Sequence, residues 1–133
     1  QLEQVKACLV RECSTMRAEE ATEMVVMITG DFNASPNSQV IKQFKQVMGQ
    51  ANMRDLGEET RHGREATYGE SSMSMFGPPE RIDYVWLVNK IEEKQMAKVE
   101  TKDVEYRVLK DNQWNQPGKE LSDHWGVQIE LCW

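Results

Sequence analysis

The sequence predicts an α/β domain in which a sheet is covered by helices. Met24-Val25-Val26-Met27-Ile28 is continuously apolar and stops at Gly30, the pattern of a strand buried on both faces, and such a strand needs helices over its sheet. Residues 1–20 and 36–50 repeat their apolar side chains at helical steps. Residues 104–108 and 125–131 alternate apolar and polar, as half-buried strands do.

Each element has its own justification. In residues 1–20, Leu2, Val5, Leu9 and Cys13 or Met16 share a face, while Lys6, Arg11 and Arg17 interleave with Glu3, Glu12 and Glu19 on a solvated back. The strand Met24–Ile28 follows. Ser35-Pro36 then opens a helix over 36–50, serine suiting the cap and proline the first turn. Val40, Ile41, Phe44, Val47 and Met48 are its apolar face, and Gly49 lies near its end. Met53 and Leu56 mark a short extended stretch. Residues 57–80, rich in glycine, proline, serine and charge, read as one long loop with a short strand at Ala66-Thr67-Tyr68. A loop of that length is functional or disordered. Ile82–Val88 is the strongest strand, 97–109 another, 112–119 a loop carrying Trp114 and Pro117-Gly118, and Trp125–Leu131 the closing strand. The chain contains no internal repeat and no low-complexity tract.

At 133 residues the chain is one domain or a piece of one, and an apolar share of 39% implies a modest core. The net charge of −6 opposes non-specific attachment to nucleic acid or to an anionic membrane. A compact phosphate site stays open, because a bound cation inverts the local field. No apolar run approaches the ~20 residues that span a bilayer. Cys8, Cys13 and Cys132 are odd in number, and the first two sit five apart, a poor zinc spacing, so free thiols and a reducing cytosolic or nuclear setting are expected. A start at Gln1 rather than Met suggests a chain that is processed, or cut from something longer.

Three acidic motifs sit at strand edges: Gly30-Asp31-Phe32-Asn33, Arg81-Ile82-Asp83-Tyr84 and Ser122-Asp123-His124. Each has an ordinary reading. Asp and Asn after a strand form turns and caps, an Asp-His pair is often a surface pair, and Asp83 beside Arg81 can be a plain ion pair. If their strands are neighbours, however, all of these polar groups converge on one rim.

In order and approximate spacing the three motifs resemble the last three signatures of the endonuclease/exonuclease/phosphatase superfamily, the DNase I-like fold. The group includes pancreatic-type DNases, abasic-site endonucleases, neutral sphingomyelinases, inositol polyphosphate 5-phosphatases and nocturnin-like hydrolases. The resemblance covers about residues 22–133, with Thr67-Tyr68 where members often carry a Thr-aromatic pair. It implies a mixed, mainly antiparallel sheet with helices on one face, one half of a four-layer α/β/β/α sandwich. It also implies hydrolysis of a phosphodiester or phosphomonoester dependent on Mg2+ (or Mn2+). Under it, Asp31 orients or activates the attacking water. Asn33 holds a non-bridging phosphate oxygen, and Asp123 binds the metal. His124 hydrogen-bonds the phosphate or serves as base, and Asp83 orients His124 and favours its protonated form.

The resemblance also implies an absence. Family domains have two similar halves, and residues 1–133 form a single, partial domain holding only the second. The first half's Asn, metal-binding Glu and further His or Tyr have no counterpart here. Glu3, Glu12, Glu19 and Glu20 fall on the first helix, and His62 reads as a solvated loop residue. The isolated chain is therefore expected to be inactive or weak. Its inner sheet face, with Ile28, Val85, Leu87, Val127 and Ile129, is expected to need a missing N-terminal half, a second copy or a separate chain to cover it. The substrate is a phosphate ester of nucleic acid, nucleotide, inositol phosphate or phospholipid head group. Trp114, Trp125 and the apolar tip Met73, Met75 and Phe76 are candidate contacts, with packing their ordinary role. The alternative is a non-catalytic interaction or scaffold module of the same descent.

Overall fold

A computed structural model describes residues 2–49, 52–60, 65–68, 78–109 and 124–132. The initial helical stretch is two helices, α1 (Leu2–Ser14) and α2 (Ala18–Ala21). The single helix predicted over 1–20 breaks because Arg17 is extended, at φ −74° and ψ 156°. Glu20 secures that break: its carboxylate accepts from the Arg17 backbone N–H at 3.0 Å and from Nε at 2.8 Å. At the other end of the break, Lys94 Nζ donates to the Cys13 and Ser14 carbonyls at 2.6 and 3.0 Å. A cation thus caps the α1 C-terminus, where orphan carbonyls and the helix dipole favour it.

The next strand, β1, spans Val26–Asp31, two residues later than predicted. It is not buried on both faces: Met27 is 42% exposed. The strand with both faces covered is β3 (Asp83–Val88), whose Tyr84 to Val88 are all buried. Sheet position explains the exchange. The order among the described residues is β1-β3-β2, with β2 at Met53–Asp55, so β3 is central and β1 lies at an edge.

Between them, α3 covers Gln39–Met48. Its cap is Ser38, whose Oγ accepts from Ile41 N–H at 3.3 Å, not Ser35 as predicted. Ser35-Pro36 form the preceding turn, closed by Ser38 N–H on the Ser35 carbonyl at 2.9 Å. Ile41, Phe44 and Met48 are buried, whereas Val40 is exposed. The extended stretch expected to reach Leu56 ends at Asp55, which accepts from Gly57 and Glu58 N–H at 3.0 and 3.2 Å and starts a one-turn helix, α4 (Leu56–Glu59). The long loop therefore begins later than residue 57.

A small hairpin, β4 (Lys90–Ile91) with β5 (Lys94–Gln95), went unpredicted. Its turn holds Glu92 at φ 53°, with no glycine or asparagine to announce it. The strand predicted over 97–109 shortens to β6 (Val104–Leu109), behind a 3-10 turn at Thr101–Asp103. The final strand, β7 (Gly126–Leu131), matches expectation and pairs with β6. Every strand pairing described is antiparallel. Tyr68 bridges Glu80 on one side and His124 on the other, which ties the approach to β3 to the approach to β7.

The molecule is thus mixed α/β, with small antiparallel sheets and a few helices. Helices α1 and α3 pack on one face of the β1-β3-β2 sheet, where Phe44, Ile41, Tyr84 and Trp86 form the core with Ile28 and Phe32 against them. Ile28 therefore belongs to the helix-covered face, not to the inner face predicted for it: it lies opposite Trp86 in the β1–β3 register, and facing residues share a side. On the other face, Val85 and Leu87 form a cluster with Leu56, Val99 and Tyr106, with Val127 and Ile129 of β7 packed against it. That face is thus partly filled by the chain's own hairpin and partly open. No helix among the described residues is long and apolar enough to cross a membrane.

Candidate functional site

The β1–β3 register sets Asp31 directly opposite Asp83 at the strand ends. His124, entering β7, comes to the same place through its bridge to Tyr68. Its Nδ1 lies 2.9 Å from Asp83 Oδ2 and its Nε2 3.9 Å from Asp31 Oδ2, so the imidazole stands between the two carboxylates. A carboxylate has no proton to give, which places the proton of the short contact on Nδ1 and leaves Nε2 on the Asp31 side. The Tyr68 ring sits 5.2 Å from the imidazole, centroid to centroid. The Asp31, Asp83 and His124 side chains are 34%, 21% and 27% exposed, open enough for a ligand to reach.

Asp31 and Asn33 are held by a local turn. Asp31 Oδ1 accepts from Asn33 backbone N–H at 2.7 Å, and Asp31 Oδ2 from Asn33 Nδ2 at 3.1 Å. Asn33 sits at φ 47°, a left-handed conformation that asparagine tolerates better than most residues. Phe32, between them, points inward, its ring 5.0 Å from Phe44 and 5.2 Å from Tyr84. Tyr84 Oη donates to the Ala34 carbonyl at 2.6 Å. The polar ends of the turn are therefore exposed while its middle is anchored in the core.

The approach to β3 is fixed by buried polar groups. Arg81 makes a two-pronged pair with Asp55, at 2.8 and 2.7 Å, and its guanidinium lies 4.4 Å from the Tyr84 ring centroid. The Arg81–Asp83 ion pair considered from sequence is replaced by this one. Thr67 is fully buried, and its Oγ1 accepts from both Ile82 and Asp83 N–H at 3.1 Å. Asp55 carries a weak sequence signal as a cap before Leu-Gly-Glu-Glu. Nothing local marks the Thr67 hydroxyl.

Beside Asp83 a groove of about 430 Å³ runs along the open face between Met27 and Thr29 on one side and Trp125, Val127 and Ile129 on the other. Of the residues singled out from sequence, Asp31, Asn33, Asp83 and His124 come together. Asp123, His62, Trp114, Met73, Met75 and Phe76 lie outside the described residues. Glu12 and Glu20 are engaged by Arg11 and Arg17. All three cysteines are free thiols.

Among the described residues no group of three His, Cys, Asp or Glu side chains is placed to hold a metal ion. Both Asp31 oxygens accept from Asn33, and Asp83 Oδ2 faces His124 Nδ1. No protein-family model, curated protein or solved structure matches this chain.

Proposed function

We propose that the chain is the second half of a phosphoesterase domain of the endonuclease/exonuclease/phosphatase kind, hydrolysing a phosphodiester or phosphomonoester. One observation carries this reading: three motifs far apart in sequence meet at one rim, with His124 Nδ1 2.9 Å from Asp83 and Nε2 3.9 Å from Asp31. Displacement at phosphorus needs a positioned water, neutralised equatorial oxygens and a proton manager. In this reading Asp31 orients the water, the Asn33 amide donates to a non-bridging oxygen, and His124 Nε2 meets the phosphate, steadied by Asp83 through Nδ1. Magnesium or manganese would be held by Asp123 with a carboxylate from the other half of the domain, and would supply charge neutralisation. The second wall would come from an N-terminal half, a second copy or a separate chain packed over Met27, Val127 and Ile129, completing a four-layer sandwich.

The test uses the assembled domain with magnesium and bis(4-nitrophenyl) phosphate. Asp31→Asn and His124→Ala are each expected to lower kcat/KM about 10²–10⁴-fold. Full activity in both folded variants would overturn the proposal.

A second reading is a non-catalytic scaffold. It is favoured by the engagement of both Asp31 oxygens inside its own turn, an ordinary structural use of the motif. Calorimetric titration with magnesium and 4-nitrophenyl phosphate separates the two, because binding that is lost in Asp31→Asn counts against the scaffold.

A further inference from the structure

We infer that Thr67 is the positioning residue that sets Asp83 against His124. The reason begins with the short β2. Its pairing with β3 stops at Asp55 opposite Trp86, so the first residues of β3 have no β2 partner on that edge. On the other edge, β1 and the turn after it continue the ladder as far as Phe32 N–H on the Ile82 carbonyl, at 2.9 Å. Thr67 fills the gap that β2 leaves. Its backbone N–H donates to the Glu80 carbonyl at 3.0 Å, and its Oγ1 takes the Ile82 and Asp83 N–H groups. A hydroxyl oxygen has two lone pairs, and two amides occupy both.

The same residue reaches the other partner. The Thr67 carbonyl accepts from Trp125 N–H at 2.7 Å, one residue beyond His124, and Tyr68 bridges His124 itself. One side chain and one carbonyl thus hold the backbones of both members of the 2.9 Å Asp83–His124 contact. Burial with no exposed area leaves no water to substitute for the hydroxyl. Thr67 touches neither a substrate nor the reacting atoms in this role; it acts through Asp83 and His124, and its importance rests on the phosphoesterase reading of that pair.

The experiment is nuclear magnetic resonance of the isotopically labelled chain at fixed pH, comparing wild type with Thr67→Ser, which keeps the hydroxyl, and Thr67→Val, which keeps the shape. In wild type the Ile82 and Asp83 amides should be protected from exchange. In Thr67→Val the Asp83 amide should exchange about tenfold faster, and the His124 ring nitrogen shifts should move toward those of Asp83→Ala. Thr67→Ser should retain both wild-type signatures, which a purely steric role for Thr67 would not require. Wild-type ring shifts in a folded Thr67→Val, or equal behaviour of the serine and valine variants, would overturn the assignment. Should Thr67→Val fail to fold, wild type still decides: unprotected Ile82 and Asp83 amides sink the proposal and protected ones, retained in Thr67→Ser, support it. Neither readout needs turnover, so a negative phosphodiester assay strikes the hydrolase reading separately.

Discussion

Asn33 combines two separable properties at one position. Its backbone occupies φ 47°, and its side-chain amide faces the site through Asp31. Glycine adopts that backbone freely, whereas a β-carbon costs about 1 kcal/mol there without the local hydrogen bonds that asparagine makes. Asn33→Gly is therefore expected to lie within about 0.5 kcal/mol of wild-type stability and Asn33→Ala about 1 kcal/mol below it. Both should lose phosphate-ester turnover in the assembled domain. Urea unfolding read beside the activity assay checks this, and equal activity in Asn33→Gly would remove the amide from the site. At this scale Asp31, Asn33, Asp83 and His124 were singled out in sequence by residue type at strand ends, and the fold brings them to one rim. The partners of Arg81 and Thr67 were not. Arg81 finds its partner Asp55 26 residues earlier and Thr67 finds Ile82 15 residues later, separations at which no local pattern names the partner.

Elements were legible wherever periodicity was strong, and their limits wherever a cap or a break was local. The 36–50 helix was foreseen, but its start was not. Ser35 and Ser38 are both plausible caps, and the Ser35-Pro36 turn decides for Ser38. Ser38→Ala should cost about 1 kcal/mol, and Ser35→Ala clearly less, measured as shifts in the urea midpoint. If Ser35→Ala proves the more damaging, the helix starts earlier than described. The apolar run at Met24–Ile28 was assigned to a doubly buried strand, a role that β3 fills instead. Composition reveals that a strand is apolar; its place in the sheet depends on which other strands flank it, and that order is a property of the assembled sheet.

On the scale of the whole molecule, burial couples stability to pH through two tyrosines on opposite faces of the sheet. Burial pushes the Tyr106 hydroxyl up from 10.0 to about 12, with Arg81 pulling partly the other way. Burial likewise raises Tyr84, again against Arg81. Both stay protonated longer in the folded chain than in the unfolded one, so their contribution is complete below pH 10, where either state is neutral. It is lost as pH climbs from 10 toward 12, because the unfolded chain sheds its protons first. The expected decline is at most about 1.4 kcal/mol per pH unit for each tyrosine, visible in urea midpoints taken across that window, and Tyr106→Phe should shallow it. An unchanged slope in Tyr106→Phe would count against Tyr106 as a source. The groove beside Met27 belongs to this scale too: the sequence anticipated an apolar face in need of cover, while the β6–β7 hairpin filling part of it appears only in three dimensions. What the sequence by itself determined was the set of apolar stripes, the strand-end positions of the chemical groups and the α/β character, all carried by spacings within a few residues. What only the tertiary structure decided was which strand is central, which face Ile28 serves, and that His124 stands within 4 Å of both Asp83 and Asp31, residues far apart in sequence, because strand pairing joins residues through hydrogen bonds and packing that no local spacing encodes.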